Sequence, residues 1–234
     1  MRTLLIAISI LVSVLAITIL AHNSSMDANA TTMLFADNYS NAGWYEIGSG
    51  VTVNSLYFPG IVKFNNVAGG GGVDQNRVIR QLPAALPSGN WTADFEYKFT
   101  ASSIPADLIF DLTTTKDDPQ VQSGPNRILI EHGNGVDQLF ITNSGSIGTD
   151  SAGISISPNV KYYARLAKTS TQLELFVFSD SARTINVPGS PVTAPILATD
   201  FNGNLNFLQH DGCTNCGNSR TLTAQITHTK IFVP

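Results

Sequence analysis

The chain has 234 residues, 43% of them hydrophobic and only 13% charged, with 13 Lys and Arg against 17 Asp and Glu. That length supports a sizeable core without covalent staples. The net charge of −4 provides no basic field for a phosphate backbone, which argues against nucleic acid as a partner. Charged residues are at about half their usual share, and Asn, Ser, Thr and Gly carry the polarity instead, as in many exported β-proteins.

In chain order the first expected element is an export signal. Arg2 precedes the uncharged run LLIAISILVSVLAITILA at residues 4–21, and the polar stretch after it ends in Ala28-x-Ala30, the small-x-small form of a signal-peptidase site. The run just reaches the length that spans a bilayer. Residues 1–30 therefore read as a signal peptide or as a retained membrane anchor. Either reading places residues 31–234 at the cell surface or outside it, with membrane contact only through residues 4–21 if they stay uncleaved.

Beyond residue 30 no amphipathic helix of four turns is found. Short runs of alternating hydrophobicity recur, each followed by Gly, Pro, Asn, Asp or Ser. The pattern predicts strands at 50–54, 56–64, 77–82, 91–100, 107–113, 127–132, 138–143, 160–168, 172–179, 184–187, 205–210 and 221–233. Strands at this spacing indicate an all-β sandwich or barrel. No repeat or composition break divides residues 31–234, so one domain is expected. The glycines 69–72 form a loop too short to link domains.

The run Asn90-Trp-Thr-Ala-Asp-Phe-Glu-Tyr-Lys-Phe99 raises the first chemical question. Side chains alternate across a strand, so Trp91, Ala93, Phe95, Tyr97 and Phe99 share a core face while Asp94, Glu96 and Lys98 share the other. The two carboxylates would stand roughly 7 Å apart, a separation compatible with glycosidase chemistry. The accompanying Lys98 points instead to an ordinary salt-laced face. Glu131, in the alternating run ILIEH, is a further fallback acid, with His132 on the opposite face.

The two cysteines stand three positions apart, as Cys213-Thr-Asn-Cys216. In an oxidising compartment a local disulfide is the expected state. A redox role would call for a helix that this Gly/Asn-rich loop does not suggest, and a zinc site lacks a second pair of ligands. No G-x-S-x-G, H-E-x-x-H or phosphate-binding loop occurs. Sequons at Asn23, Asn29, Asn38 and Asn90 matter only in a glycosylating host.

Several of these segments together resemble the concanavalin A-like lectin/glucanase domain, the two-sheet antiparallel jelly roll of legume lectins, laminin G-like modules and laminarinase-type hydrolases. The carriers are Phe35-Ala-Asp-Asn-Tyr-Ser-Asn-Ala-Gly-Trp44, Gly72–Arg80, Trp91–Phe99, Ile154–Leu166 with Gln172–Ser179, and Arg220–Ile231. The resemblance spans roughly residues 35–232. It implies that the opening F-x-D-x-Y…W segment pairs with the closing strand and that Tyr162–Leu166 and Leu173–Ser179 form a hairpin. It also implies either a glycan binder or a hydrolase. The hydrolases carry E-x-D-x-x-E on one strand. None of the four glutamates here, Glu46, Glu96, Glu131 and Glu174, begins such a motif, so no catalytic residue is assigned.

The binding branch directs attention to loops. Calcium in such domains takes clustered oxygens. Asp200, Asn202 and Asn204 offer one set and Asp117 with Asp118 a second, although no cofactor is required. The loop from His210 to Arg220 is the most distinctive irregular segment, and a disulfide would preorganise it. Its His210, Asp211, Asn215, Asn218 and Arg220, with His132, are the candidate ligand-binding residues. The expectation is an exported, non-catalytic glycan binder. The alternatives are a surface-anchored adhesive module contacting a cell-surface protein and a divergent glycosidase.

Overall fold

The computed structural model describes residues 32–39, 43–48, 50–55, 58–68, 76–103, 107–117, 126–133, 136–142, 145–212 and 221–234. The export run, Ala28-x-Ala30, Asp118 and the Cys213–Arg220 segment lie outside the described residues. Fifteen strands follow one another: β1 Thr32–Asp37, β2 Trp44–Ile47, β3 Val51–Ser55, β4 Phe58–Ala68, β5 Arg77–Gln81, β6 Trp91–Ser102, β7 Asp107–Thr113 and β8 Arg127–His132. They continue as β9 Gln138–Thr142, β10 Ile154–Ser155, β11 Lys161–Lys168, β12 Gln172–Phe178, β13 Val192–Pro195, β14 Phe207–Asp211 and β15 Thr221–Val233. No helix is present among the described residues.

The strands form two antiparallel sheets. The eight-stranded sheet runs β13-β12-β11-β6-β15-β4-β3, with β1 also on β15, and the seven-stranded sheet runs β10-β9-β8-β7-β14-β5-β2. At 13 residues, β15 is long enough to pair β4 along its first half and β1 along its second, from Asp37↔Thr229 to Thr32↔Val233. The opening strand therefore does pair with the closing one, and β11 and β12 form the expected hairpin. This is the concanavalin A-like jelly roll.

Alternation builds the core. On β6 the side chains of Trp91, Ala93, Phe95, Tyr97 and Phe99 are all buried between the sheets. Phe95 stacks on Phe110 of β7 with ring centroids 4.4 Å apart, joining the two sheets at the centre. Stacked aromatics contribute beyond the area they bury.

The Phe35–Trp44 segment closes one edge. Phe35 enters the core, while the buried carboxylate of Asp37 accepts the Trp44 indole N–H at 3.2 Å and the Arg80 guanidinium at 2.8 Å. It also accepts the backbone N–H of Tyr39. Arg80 in turn lies over the rings of Phe35 (5.6 Å) and Trp44 (6.0 Å). Beside this cluster, Glu46 of β2 accepts the N–H of Val53 at 2.7 Å, satisfying a backbone donor on the edge strand β3.

Several elements differ from the sequence expectation: β2, β10 and β13 are not among the strands that alternation predicts, β1 is implied only by the resemblance, and one expected strand does not form. Residues 184–187 are irregular, with a single bridge from Asn186 to Phe178 rather than a strand. The cause is Asp180, whose carboxylate accepts the N–H groups of Thr184 and Ile185 and the Thr184 hydroxyl, curling the chain locally. Conversely, Val192-Thr-Ala-Pro195 forms β13 although proline usually breaks strands. It sits at the sheet edge, where a missing N–H is tolerated.

Candidate functional site

The outer face of the seven-stranded sheet is the polar surface with the most chemistry. Val78, Leu112, Ile128, Ile130, Leu139, Ile141 and Leu208 point into the core, so their strand neighbours point away from it. The register aligns Tyr45, Ile79, Gln209, Asp111, Leu129 and Thr142 in one row crossing β2, β5, β14, β7, β8 and β9. One step to one side lie Arg77 and Asp211, cross-strand partners, and Glu131 beside Phe140. On the other side stand Thr113 and Arg127. Seven polar or charged residues of this face, Arg77, Asp111, Thr113, Arg127, Glu131, Gln209 and Asp211, are buried. Buried polar groups cost free energy unless they are bonded, so such a concentration points to a functional surface.

Gln209 organises it. Its Nε2 donates to the Thr113 hydroxyl at 2.8 Å and to the carbonyls of Thr115 (3.0 Å) and Asp117 (3.1 Å). Arg77 Nη2 donates to the Lys116 carbonyl at 3.0 Å. Together they draw residues 114–117 over the face. Gln209 Oε1, by contrast, has no hydrogen-bond partner among the described residues. At the β2 edge of the row Tyr45 is 64% exposed, which leaves an aromatic ring open to solvent on the same face, with Ile79 between it and Gln209. Glu131 is pushed up to about 7, mainly by burial and also by the charge of Asp150, against the Thr142 hydrogen bond and Arg127. A carboxyl of this kind exchanges its proton near neutrality.

His132 and His210, expected at ligand-facing junctions, lie inside the sandwich. Each is in phase with core side chains of its own strand, His132 with Ile128 and Ile130, His210 with Leu208. His210 Nδ1 meets the carbonyl of Ile109 at 2.8 Å, so it carries the proton, and Nε2 accepts the Tyr39 hydroxyl at 3.0 Å. The Tyr39 oxygen accepts Thr229 of β15, completing a chain that ties the two sheets together. Burial lowers His210 to about 4 and keeps it neutral. His132 donates from Nε2 to Asp137 at 3.1 Å and accepts from Tyr97 at Nδ1, 2.6 Å. Burial lowers its pKa despite Asp137. The phase of the alternation was the available sequence signal.

Asp94 and Glu96 stand on the outer face of the other sheet. Arg165 holds Asp94 through two bonds of 2.8 and 3.1 Å, and Arg183 approaches at 3.6 Å. Glu96 accepts Lys161 at 3.0 Å, Thr227 at 2.8 Å and His228 at 3.3 Å. Burial would raise Glu96, but these bonds outweigh it and hold the carboxyl below its usual range. The pair forms a salt-laced face, in keeping with Lys98 beside it.

Of the expected calcium ligands, Asp200 already serves the protein's own donors. Asp200 is buried, its carboxylate accepting the backbone N–H groups of Ser146 (2.8 Å) and Leu197 (2.9 Å) and the Ser146 hydroxyl. Burial alone would raise it, yet these bonds and Lys168 hold it below the usual carboxylate range. Asn202 and Asn204 are exposed on the segment that follows it. Asp117 is exposed and accepts Thr115 at 2.9 Å. No group of three His, Cys, Asp or Glu among the described residues is placed to hold a metal ion. Of the loop candidates, Asp211 ends β14 on the outer face, whereas Asn215, Asn218, Arg220, Cys213 and Cys216 lie outside the described residues.

Asp200 positions the turn at 145–147, and this gives a test of local packing. Gly145 has φ +82°, and a Cβ there would stand 2.5 Å from Asp200 Oδ2. Gly145→Ala is expected to cost about 2 kcal/mol of unfolding free energy from strain and displacement of that carboxylate. Chemical denaturation measures it, and a change within error would show that the turn is not fixed by Asp200.

No family model and no curated protein matches the chain. Solved structures do. Arcelin-5, a lectin-like defence protein from Phaseolus vulgaris, is 10% identical with a TM-score of 0.56, covering 87% of this chain and 98% of its own. The exoplasmic/lumenal domain of VIP36, solved in a calcium- and mannose-bound form, is 10% identical with a TM-score of 0.54, covering 85% and 89%. Alginate lyase A1-II′, of polysaccharide lyase family 7, is 11% identical with a TM-score of 0.53, covering 84% and 97%. The molecule thus shares the lectin-like sandwich, a fold found in both binders and enzymes.

Proposed function

We propose that the chain is an exported lectin-like protein that holds a glycan on the outer face of the seven-stranded sheet without turning it over. The observation that carries this reading is the six-strand row that runs from the exposed ring of Tyr45 through Gln209 and Asp111. A sugar presents an apolar ring face to an aromatic, which the exposed ring of Tyr45 supplies at the edge of a sheet face rich in polar groups. Export is supported by the uncharged run 4–21 and Ala28-x-Ala30. The absence of turnover is supported by Asp94 and Glu96, which are held in ion pairs with Arg165 and Lys161 on the opposite sheet, away from the row.

The test is a thermal-shift screen of neutral glycans. A ligand present at a hundredfold excess over its dissociation constant stabilises by about 2.7 kcal/mol. Tyr45→Ala is expected to weaken the binding found by about tenfold while leaving the unliganded midpoint unchanged. No shift with any glycan, or full affinity in Tyr45→Ala, would refute the placement and favour an adhesive, protein-contacting module.

A further inference from the structure

The outer face of the eight-stranded sheet carries a second, opposite signature. Core-directed Val62, Phe64, Tyr97, Phe99, Tyr162, Ala164 and Ile231 put Lys63, Lys98, Lys161, Arg165 and Lys230 on the solvent side. Arg183 joins them over Tyr163 and Asp94. These are six of the chain's 13 Lys and Arg. They face Asp94, Glu96 and Glu174 on the strands and Asp180 in the adjoining turn, an excess of two positive charges on a chain of net charge −4. The opposite face is negative. There Asp111, Glu131, Asp211, Asp117, Asp137 and Asp150 outnumber Arg77, Arg127 and Lys116.

The positive charge is ordered. Register places Lys161, Lys98, Gln225 and Lys63 directly opposite one another across β11, β6, β15 and β4. Lys98 and Lys161 are cross-strand partners, and like charges in that position work against the sheet. Glu96 reaches Lys161 at 3.0 Å, whereas the cross-strand neighbours of Lys98 are Lys161 and Gln225. An external anion lying along the row would relieve this repulsion.

We propose that this row binds an anionic polysaccharide, with carboxylate or sulfate groups along the chain meeting Lys161, Lys98 and Lys63. Strands are spaced at about 4.8 Å, close to the advance of an extended polysaccharide per sugar. The amide of Gln225 fills the position between the lysines with a hydroxyl-compatible partner. Phe176 and Phe178, the aromatics of this face on β12, are buried. The surface is therefore polar, which suits an extended polyanion better than insertion into lipid. The two faces are independent, so the chain would hold a neutral glycan on one side and a polyanion on the other.

The experiment compares the full chain with its Lys63→Gln/Lys98→Gln/Lys161→Gln and Tyr45→Ala variants. The probes are polygalacturonate, dextran sulfate, neutral dextran and phosphatidylserine vesicles. Both polyanions are expected to bind more tightly than dextran, with an affinity that falls as salt rises. The triple variant should lose about tenfold in that affinity, with its unfolding midpoint unchanged. Tyr45→Ala should bind the polyanions as the wild type does, so failure here is distinguishable from failure on the neutral-glycan face. Polyanion binding no stronger than dextran binding, full affinity in the triple variant, or binding to the vesicles alone would overturn the proposal.

Discussion

Asp37→Ala is expected to lower the midpoint of thermal unfolding by roughly 10 °C. The substitution removes one carboxylate that serves three donors at the sandwich edge: the Arg80 guanidinium, the Trp44 indole and the Tyr39 backbone N–H. Removing one partner of a buried charged pair costs about 3 kcal/mol, because the group left behind stays desolvated. In a domain of this size each kcal/mol moves the midpoint by about 3 °C. The damage should spread, since Arg80 lies over Phe35 and Trp44, and Trp44 stacks on His210 at 5.4 Å. Asp37→Asn keeps an acceptor and should recover part of the loss. Calorimetry decides the matter, and a drop of only a degree or two would mean that solvent replaces the carboxylate without cost.

The second large effect is a hidden pH dependence. The neutral His210 is lowered to about 4, so the unfolded chain binds more protons than the folded one below pH 6.5. Its contribution to stability is complete above 6.5 and is lost as pH falls toward 4. Glu131 acts in the opposite sense. Raised to about 7, it stabilises the folded form fully below pH 4.5, and that contribution is lost as pH rises through 7. Each pKa unit corresponds to about 1.4 kcal/mol. Between pH 7.5 and 5 the two contributions, each of about 2–3 kcal/mol, nearly offset, and the wild type should show a flat profile. Glu131→Gln removes one of them. The variant should be more stable than the wild type at pH 7.5 by about 2 kcal/mol and lose about that much by pH 5, in the direction that His132 reinforces. Urea titrations at the two pH values provide the measurement. Parallel profiles for wild type and variant would show that Glu131 is solvated.

The two effects locate where sequence was informative. Most of the strands followed from alternation, because a half-buried strand must present apolar groups every second residue, whereas the short β2, β10 and β13 carried too few residues to show it. That is why the Trp91–Phe99 core face, the Asp94 and Glu96 outer face and the exact span of β15 could be read directly. The F-x-D-x-Y…W segment was recognisable as a pattern, but its purpose was not. Only the folded chain shows Asp37 gathering donors from β2, β5 and its own turn. Residues 184–187 escaped the alternation argument because Asp180 provides a local competitor for the backbone donors.

The candidate site was far less legible. Arg77, Asp111, Arg127 and Gln209 are scattered from position 77 to position 209 and over four strands, and each appears in sequence as one polar residue in a strand. Register alone brings Gln209 between Ile79 and Asp111 and places Tyr45 at the end of their row. The histidines show the same limit in reverse. His132 and His210 stand at strand ends, where solvent contact is the natural expectation, yet the facing sheet supplies Tyr97 and Tyr39 to receive them. Sequence determined which residues could form strands and which side of each strand is apolar, because both follow from interactions over a few residues. The tertiary structure decided which polar sides meet, because that depends on strand order and register set by contacts far apart in the chain.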